Sequence, residues 1–196
     1  LVLEREIIIS PIGELPSSVT VPVRKAVARN FGLPARIVPL LQRIDFAYSP
    51  VRQQHHSTAL LDKLAELRPT PGCRILAITD KDLFIPILTH VYGEAQLKGH
   101  TAVISLYRLA DSNPLSLVHE SGLTNQRCIK EALHELGHTI GLTHCRDPAC
   151  IMHYCRRISD VDHKTDRFCH YCRIWLQDAL EKDRISFNSG ERGESQ

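Results

Sequence analysis

His134-Glu135-Leu136-Gly137-His138-Thr139-Ile140-Gly141-Leu142-Thr143-His144-Cys145 is the stretch on which the reading of this chain turns. Its spacing is H-E-x-x-H-x-x-G-x-x-H. His134 and His138 stand four apart, so a helix puts them on one face, one turn apart. Two neutral imidazoles so placed can grip one zinc ion. Glu135 follows the first of them and can reach beside the metal without binding it, where it can take a proton from a zinc-bound water. Gly141 comes three residues after His138, where a helix can end on a left-handed residue. The chain can then turn back and bring in His144 as a third ligand. Three protein ligands leave a fourth position open, the arrangement of a catalytic zinc. The competing reading is a helix whose histidines merely face water, and the sequence that follows the motif speaks against it.

Working outward, 196 residues suffice for one domain with a sizeable core. We divide it into an N-terminal part, 1–141, holding a sheet and the motif helix, and a smaller C-terminal part, 142–196. The net charge of +2 is near balance and gives no nucleic-acid stripe or polybasic membrane patch. No apolar run approaches the roughly 20 residues that span a bilayer. The opening Leu1-Val2-Leu3-Glu4-Arg5-Glu6 does not read as a signal peptide. Seven cysteines, an odd count without a secretory signal, favour metal-held thiolates in a reducing compartment over a disulfide framework. The expectation is a cytoplasmic monomer.

Along the chain, Glu4 to Ser10 reads as a first strand on its Ile7-Ile8-Ile9 run. Ser18 to Asn30 reads as a helix ending at Gly32, with Val21, Lys25, Ala28 and Phe31 at helical steps and Pro22 in a first turn. Ala35 to Leu41 reads as extended and 45–56 as loop. Ser57 should cap a helix reaching about Leu67. Cys73 to Thr79 is a third strand. Thr101 to Leu109 is another, paired as a hairpin with 91–97 on the outside. An outer strand beside a metal cleft has unpaired backbone groups that an extended peptide can use. Asp111 to Leu123 is a polar loop, and Thr124 or Asn125 should cap the motif helix, with Ile129, Leu133, Leu136 and Ile140 as its apolar stripe. The chain is then irregular to about Asp162. A last helix is predicted from near Asp166 to Lys182 with Phe168, Tyr171, Trp175, Leu176 and Leu180 inward, followed by a frayed tail from Asn188.

A second metal site is readable downstream. Cys169-x2-Cys172 is a strong half-site, and Cys145-x4-Cys150 a second. Four thiolates form a closed tetrahedron, hence a structural zinc stapling the segment after His144 to the last helix. Cys145, Cys150 and Cys155 are spaced five apart, so spacing alone does not say which two complete the set. Cys73 and Cys128 read as small core residues.

The run from His134 to Cys172 resembles the archaemetzincin family of metzincin-clan zinc metalloproteases. The resemblance rests on His134, Glu135, His138, Gly141, His144, the cysteine directly after it (Cys145), Cys150, Met152, Cys169 and Cys172. It implies an α+β, zincin-like metalloprotease fold: a twisted mixed β-sheet, an active-site helix and a small zinc-stapled C-terminal subdomain. It implies two zinc ions per chain, a catalytic one on His134, His138 and His144 and a structural one on Cys145, Cys150, Cys169 and Cys172, leaving Cys155 over. Glu135 would be the general base, and Met152, the only methionine, would form the methionine turn under the site. Tyr154 stands where some other metzincins place a tyrosine that ligates zinc or bonds the oxyanion. A packed tyrosine is the other reading, and its role is not carried over from the family.

The function expected is zinc-dependent hydrolysis of peptide bonds in a peptide or protein substrate. Two alternatives keep the same residues: a zinc amidase or deacylase on a non-peptide substrate, and a zinc-stabilised binding protein whose open position is blocked, for instance by Cys155. Animal relatives in the family are described as aminopeptidases. Glu94, Asp111 or Glu120 could hold a free amine.

Overall fold

The computed structural model describes residues 5–110 and 122–190. The first strand, β1 (Glu6–Pro11), carries Ile7, Ile8 and Ile9 with no exposed surface. It lies between β2 (Ala35–Ile37) and β5 (Cys73–Thr79), parallel to both. All seven residues of β5 are buried, as a central parallel strand covered on both faces requires. Each fully buried isoleucine contributes about 2 kcal/mol relative to exposure. Next to β5 lies β8 (Thr101–Ser105), also parallel, and antiparallel to β8 runs β7 (Gly93–Ala95). The sheet is therefore mixed, in the order β2-β1-β5-β8-β7.

Alternate residues divide the core. Ile7, Ile9, Leu76, Ile78, Ala102 and Ile104 pack with helices α1 (Ser17–Phe31) and α3 (Gly122–Ile140). Ile8, Ile75, Ala77 and Val103 pack on the other face with Leu60, Leu61 and Leu64 of α2 (Ser57–Glu66). A second small sheet joins β3 (Tyr48–Ser49), β4 (Gln54–His56) and β6 (Leu83–Phe84). Two further helices follow the motif, α4 (Ile158–His163) and α5 (His170–Gly190).

Several expectations are corrected. The extended segment after α1 pairs only over 35–37, and the strand begun at Thr101 ends at Ser105. The loop 45–56 contains a 3-10 turn (Asp45–Ala47) and two short strands. Helix α1 buries Val19, Val23, Val27 and Phe31, while Lys25 is exposed; Pro22 lies in its second turn, at the cost of one ladder bond. Ser57 is helical rather than a cap, because its hydroxyl donates to the Phe84 carbonyl. Neither Thr124 nor Asn125 caps α3, which already runs from Gly122; of the polar loop expected from Asp111 to Leu123, residues 111–121 lie outside the described residues, and Gly122 and Leu123 are helical. Helix α4 was not expected. Helix α5 starts at His170 and continues through Gly190, so residues 188–190 are helical. Phe168 and Leu176 are buried and Leu180 packs on the core, but Tyr171 and Trp175 face solvent at 76% and 69% exposure.

Candidate active site

Helix α3 delivers His134, Glu135 and His138 on one face, with Leu133, Leu136 and Ile140 in the core behind. His134 Nδ1 donates to the Ile151 carbonyl at 2.8 Å, and His138 Nδ1 donates to the Leu142 carbonyl at 2.7 Å. A carbonyl only accepts, so both protons sit on Nδ1 and both Nε2 lone pairs are free. Those two Nε2 atoms lie 3.1 Å apart. Two lone pairs facing each other this closely call for a cation between them.

Gly141 brings in the third imidazole. It has φ +104, its N–H donates to the His138 carbonyl at 2.9 Å, and the Leu142 N–H donates to Gly137 at 3.0 Å. The reversal needs glycine for its conformation, and a Cβ there would also crowd the Lys98 stem at 3.0 Å. The His144 ring then lies 5.4 Å from that of His134 and 5.0 Å from that of His138. One nitrogen from each of the three lies within 4.8 Å of the others. Burial lowers all three imidazoles below their ordinary 6.5, with neighbouring positive charge adding to the effect at His134 and His144. Three neutral donors converging at a cavity fit a zinc with an open position.

Glu135 is buried beside this set. Burial pushes its carboxyl well above 4.5, and the Glu131 and Glu94 carboxylates push the same way. The edge strand β7 passes directly over it. A Cβ on Gly93 would stand 2.7 Å from Glu135 Cγ and 2.8 Å from the Val103 carbonyl oxygen, so only glycine allows this approach. The cleft between β7 and α3 has a volume of about 420 Å³. Glu94, Tyr154 and Cys155 line it. Glu94 accepts from Thr58 through Oε1, and its buried Oε2 has no hydrogen-bond partner among the described residues. Asp111 and Glu120 lie outside the described residues. The Tyr154 ring sits 4.9 Å from that of His144 and is half exposed.

Below the helix, Met152 is fully buried against Gly137, where a Cβ would lie 2.5 Å from the methionine sulfur. The Cys145 N–H donates to the Met152 carbonyl at 2.8 Å, which folds the segment back under α3. This puts Cys145 and Cys150 next to Cys169 and Cys172 of the α5 start. All four sulfurs lie within 4.8 Å of one another, and none is in a disulfide. Burial and the neighbouring Cys150 push the Cys172 thiol up, because a second negative sulfur is unwelcome there without a cation. Four thiols so gathered fit a closed tetrahedral zinc. Cys155 is in neither cluster, and its thiol donates to the His153 carbonyl at 3.5 Å. Cys73 and Cys128 are core residues, their thiols raised by burial to about 11 and about 12.

The model of peptidase family M54 matches residues 3–178. The chain belongs to peptidase family M54. It is 40% identical over 138 residues to an archaemetzincin of Methanopyrus kandleri, covering 70% of this chain and 74% of that one. A crystal structure of the archaemetzincin from Methanopyrus kandleri superposes with a TM-score of 0.79 at 34% identity, covering 91% and 96% of the two chains. A zinc-dependent peptidase from Methanocorpusculum labreanum superposes with a TM-score of 0.76 at 26% identity, covering 87% of this chain and 99% of that one.

Within this M54 chain, four site residues escaped the reading of the sequence. Gly93 and Gly137 carried a weak signal, as glycines inside a strand and a helix. Glu131 stands four residues before Glu135 and so shares its face of the helix. Lys164 carried none. Its side chain has no exposed surface and lies 2.8 Å from Glu131. Burial opposes its charge, but Glu131 and Cys155 outweigh burial and hold the ammonium above its ordinary 10.5.

Proposed function

We propose that this M54 chain hydrolyses peptide bonds in the cleft between β7 and α3, with His134, His138 and His144 as ligands of one zinc and Glu135 as general base. The observation that carries this reading is the convergence of three imidazole nitrogens and one buried carboxylate on a single cavity. The zinc-dependent peptidase among the similar structures supports the same assignment. When bound to the three imidazoles, zinc supplies Lewis acidity, polarising a carbonyl and lowering the pKa of water toward ~7. The chain's own residues do the rest. The Ile151 and Leu142 carbonyls fix the tautomer and tilt of the two helical histidines. Glu135, whose burial favours accepting a proton, takes one from the attacking water and returns it to the leaving amine. The edge strand β7 has no neighbour on its outer side among the described residues, so its free backbone groups can pair with an extended substrate. Tyr154, beside His144, is the side chain nearest to an oxyanion role.

A second zinc on Cys145, Cys150, Cys169 and Cys172 would be structural, since four sulfurs leave no open position. Neither the amidase reading nor the blocked-site reading gains support: the comparisons are with peptidases, and Cys155 is not part of the histidine cluster.

The test uses zinc-loaded wild type and Glu135→Ala on a peptide mixture, half of it N-terminally acetylated, with products read by mass spectrometry. The expected result is cleavage by wild type and a loss of several orders of magnitude in the variant at unchanged zinc content. Equal turnover in a zinc-replete variant would remove Glu135 from the mechanism. Cleavage confined to free N-termini would assign amine recognition, for which the unpartnered Glu94 Oε2 is the candidate group.

A further inference from the structure

Peptide hydrolysis at the histidine cluster makes no use of an ion pair in the wall of the same cleft. Lys164 Nζ and Glu131 Oε1 approach to 2.8 Å as a buried ion pair, with side-chain exposures of 0% and 5%. The approach is off hydrogen-bond geometry, and among the described residues neither atom has a partner that meets that geometry. Both residues line the catalytic cavity, together with Tyr92 and Cys155. Glu131 stands one turn before Glu135 on α3. Lys164 is held opposite by α4, which is anchored to α3 by the two-pronged Arg127–Asp162 pair at 2.7 and 2.8 Å and by Lys130 donating to the Val161 and Asp162 carbonyls.

A buried ion pair is an expensive way to fill a core, since apolar residues of similar volume often do as well or better. A buried ammonium and carboxylate with unspent hydrogen-bonding capacity, at the wall of a substrate cavity, invite a ligand that supplies what they lack. We propose that Lys164 and Glu131 form a side-chain subsite for a primary carboxamide, the Gln or Asn side chain of a peptide substrate. The inference rests on the peptidase reading of the same cleft. A carboxamide offers one acceptor and one donor side by side: its oxygen accepts from Lys164 Nζ and its NH2 donates to Glu131 Oε1. Being neutral, it leaves the pair's charge balance intact. A carboxylate satisfies Lys164 but faces Glu131, Glu94 and Glu135 lining the same cavity. A lysine side chain satisfies Glu131 but meets Lys164. An aliphatic side chain leaves the hydrogen-bonding capacity of both atoms unspent. The four-carbon stem of Lys164 gives its ammonium room to turn toward the cavity, and the Tyr92 ring offers a wall for the methylenes of a glutamine.

The experiment uses the full, zinc-loaded chain carrying Glu135→Ala, so that peptides bind without turnover. Hexapeptides differing at one position at a time (Gln, Asn, Glu or Leu) are titrated by calorimetry. The same series is run with the Glu131→Leu/Lys164→Met pair added. Removing both charges together leaves none uncompensated, so this variant keeps its fold; melting temperature and zinc content verify that. At one position, Gln or Asn should bind about tenfold tighter than Leu and Glu, and the added pair should reverse that order in favour of Leu. A preference for Glu, or a ranking that the pair leaves unchanged, overturns the subsite. Wild-type cleavage of the Leu peptides with no carboxamide preference also overturns it, and leaves the peptidase reading standing. A carboxamide preference in binding without wild-type cleavage of any peptide supports the subsite and overturns hydrolysis. Binding of no peptide overturns both.

Discussion

The histidine set and the cysteine set are built from one stretch, residues 134–172, and they differ in what surrounds them. The histidines converge on a cavity, with His144 exposed, a buried carboxylate alongside and an edge strand overhead. The cysteines converge on one another, with Cys150 buried and the other three half-buried, between the segment under α3 and the start of α5. Three donors at a cavity leave room for a substrate atom; four donors without one leave none. The comparison teaches that ligand number and access, more than ligand chemistry, separate a site that does work from one that holds a chain together.

The comparison is broken most severely by removing a member of each set. Glu135→Ala should cost several orders of magnitude in turnover and little stability. Cys150→Ser should do the reverse: it should release one zinc and lower the melting temperature by about 10 °C, the scale of a tightly bound ligand's linkage in a chain of this size. The zinc count should fall to one per chain, and the remaining ion should stay with the histidines. A Cys150→Ser chain that melts like wild type would show that the cysteines staple nothing.

A smaller effect sharpens the geometry of the open site. Gly93→Ala puts a Cβ within 2.7 Å of Glu135 Cγ and 2.8 Å of the Val103 oxygen, so either β7 or the carboxylate must shift. A displacement of about 1 Å at a catalytic group costs on the order of 100-fold. The expected outcome is a fall of that size in kcat/KM, with zinc content and melting temperature close to wild type. Unchanged kcat/KM would mean that the edge strand does not set the position of Glu135.

The two sets were legible in the sequence for different reasons. The histidines were readable because two of them obey helical spacing and the third follows a glycine stop. The cysteines were readable because cysteine is scarce, though spacing alone left Cys155 in contention, and only the fold separates it from the other four. Strands β1 and β5 were visible as continuous apolar runs. Helix α5 was visible too, but its inward face was not: Tyr171 and Trp175 recur at helical steps with Phe168 and Leu176, and periodicity does not say which of two apolar faces docks. Helix α4 was invisible because Ile158-Ser159-Asp160-Val161-Asp162-His163 is short and polar and is held by Arg127 and Lys130 from α3. Lys164 was invisible for the same reason. Its meaning depends on Glu131, thirty-three positions earlier, and no local pattern links them.

The mildest test of the comparison is pH. Burial holds His134, His138 and His144 below 6.5, so at pH 7 they are already neutral and a metal displaces no proton from them. Their affinity should be flat from pH 7 to 8 and decline only as pH falls below 6.5 through their lowered values, where protonation competes with the metal. At the other site, burial raises Cys150 and Cys172 above the ordinary thiol value of 9.0. Those thiols are protonated at pH 7 in the absence of metal, so binding must expel their protons, and affinity should climb with pH across the same window. Chelator competition, with the histidine site followed by the visible spectrum of substituted cobalt and the cysteine site by its sulfur charge-transfer band, reads the two slopes separately. Each proton expelled changes the affinity about tenfold per pH unit. A slope near zero for the histidines and of two or more for the cysteines is the expected pair of values. Equal slopes would show that the open and closed sites do not differ in the protonation of their free ligands, and the contrast between them would then rest on access alone.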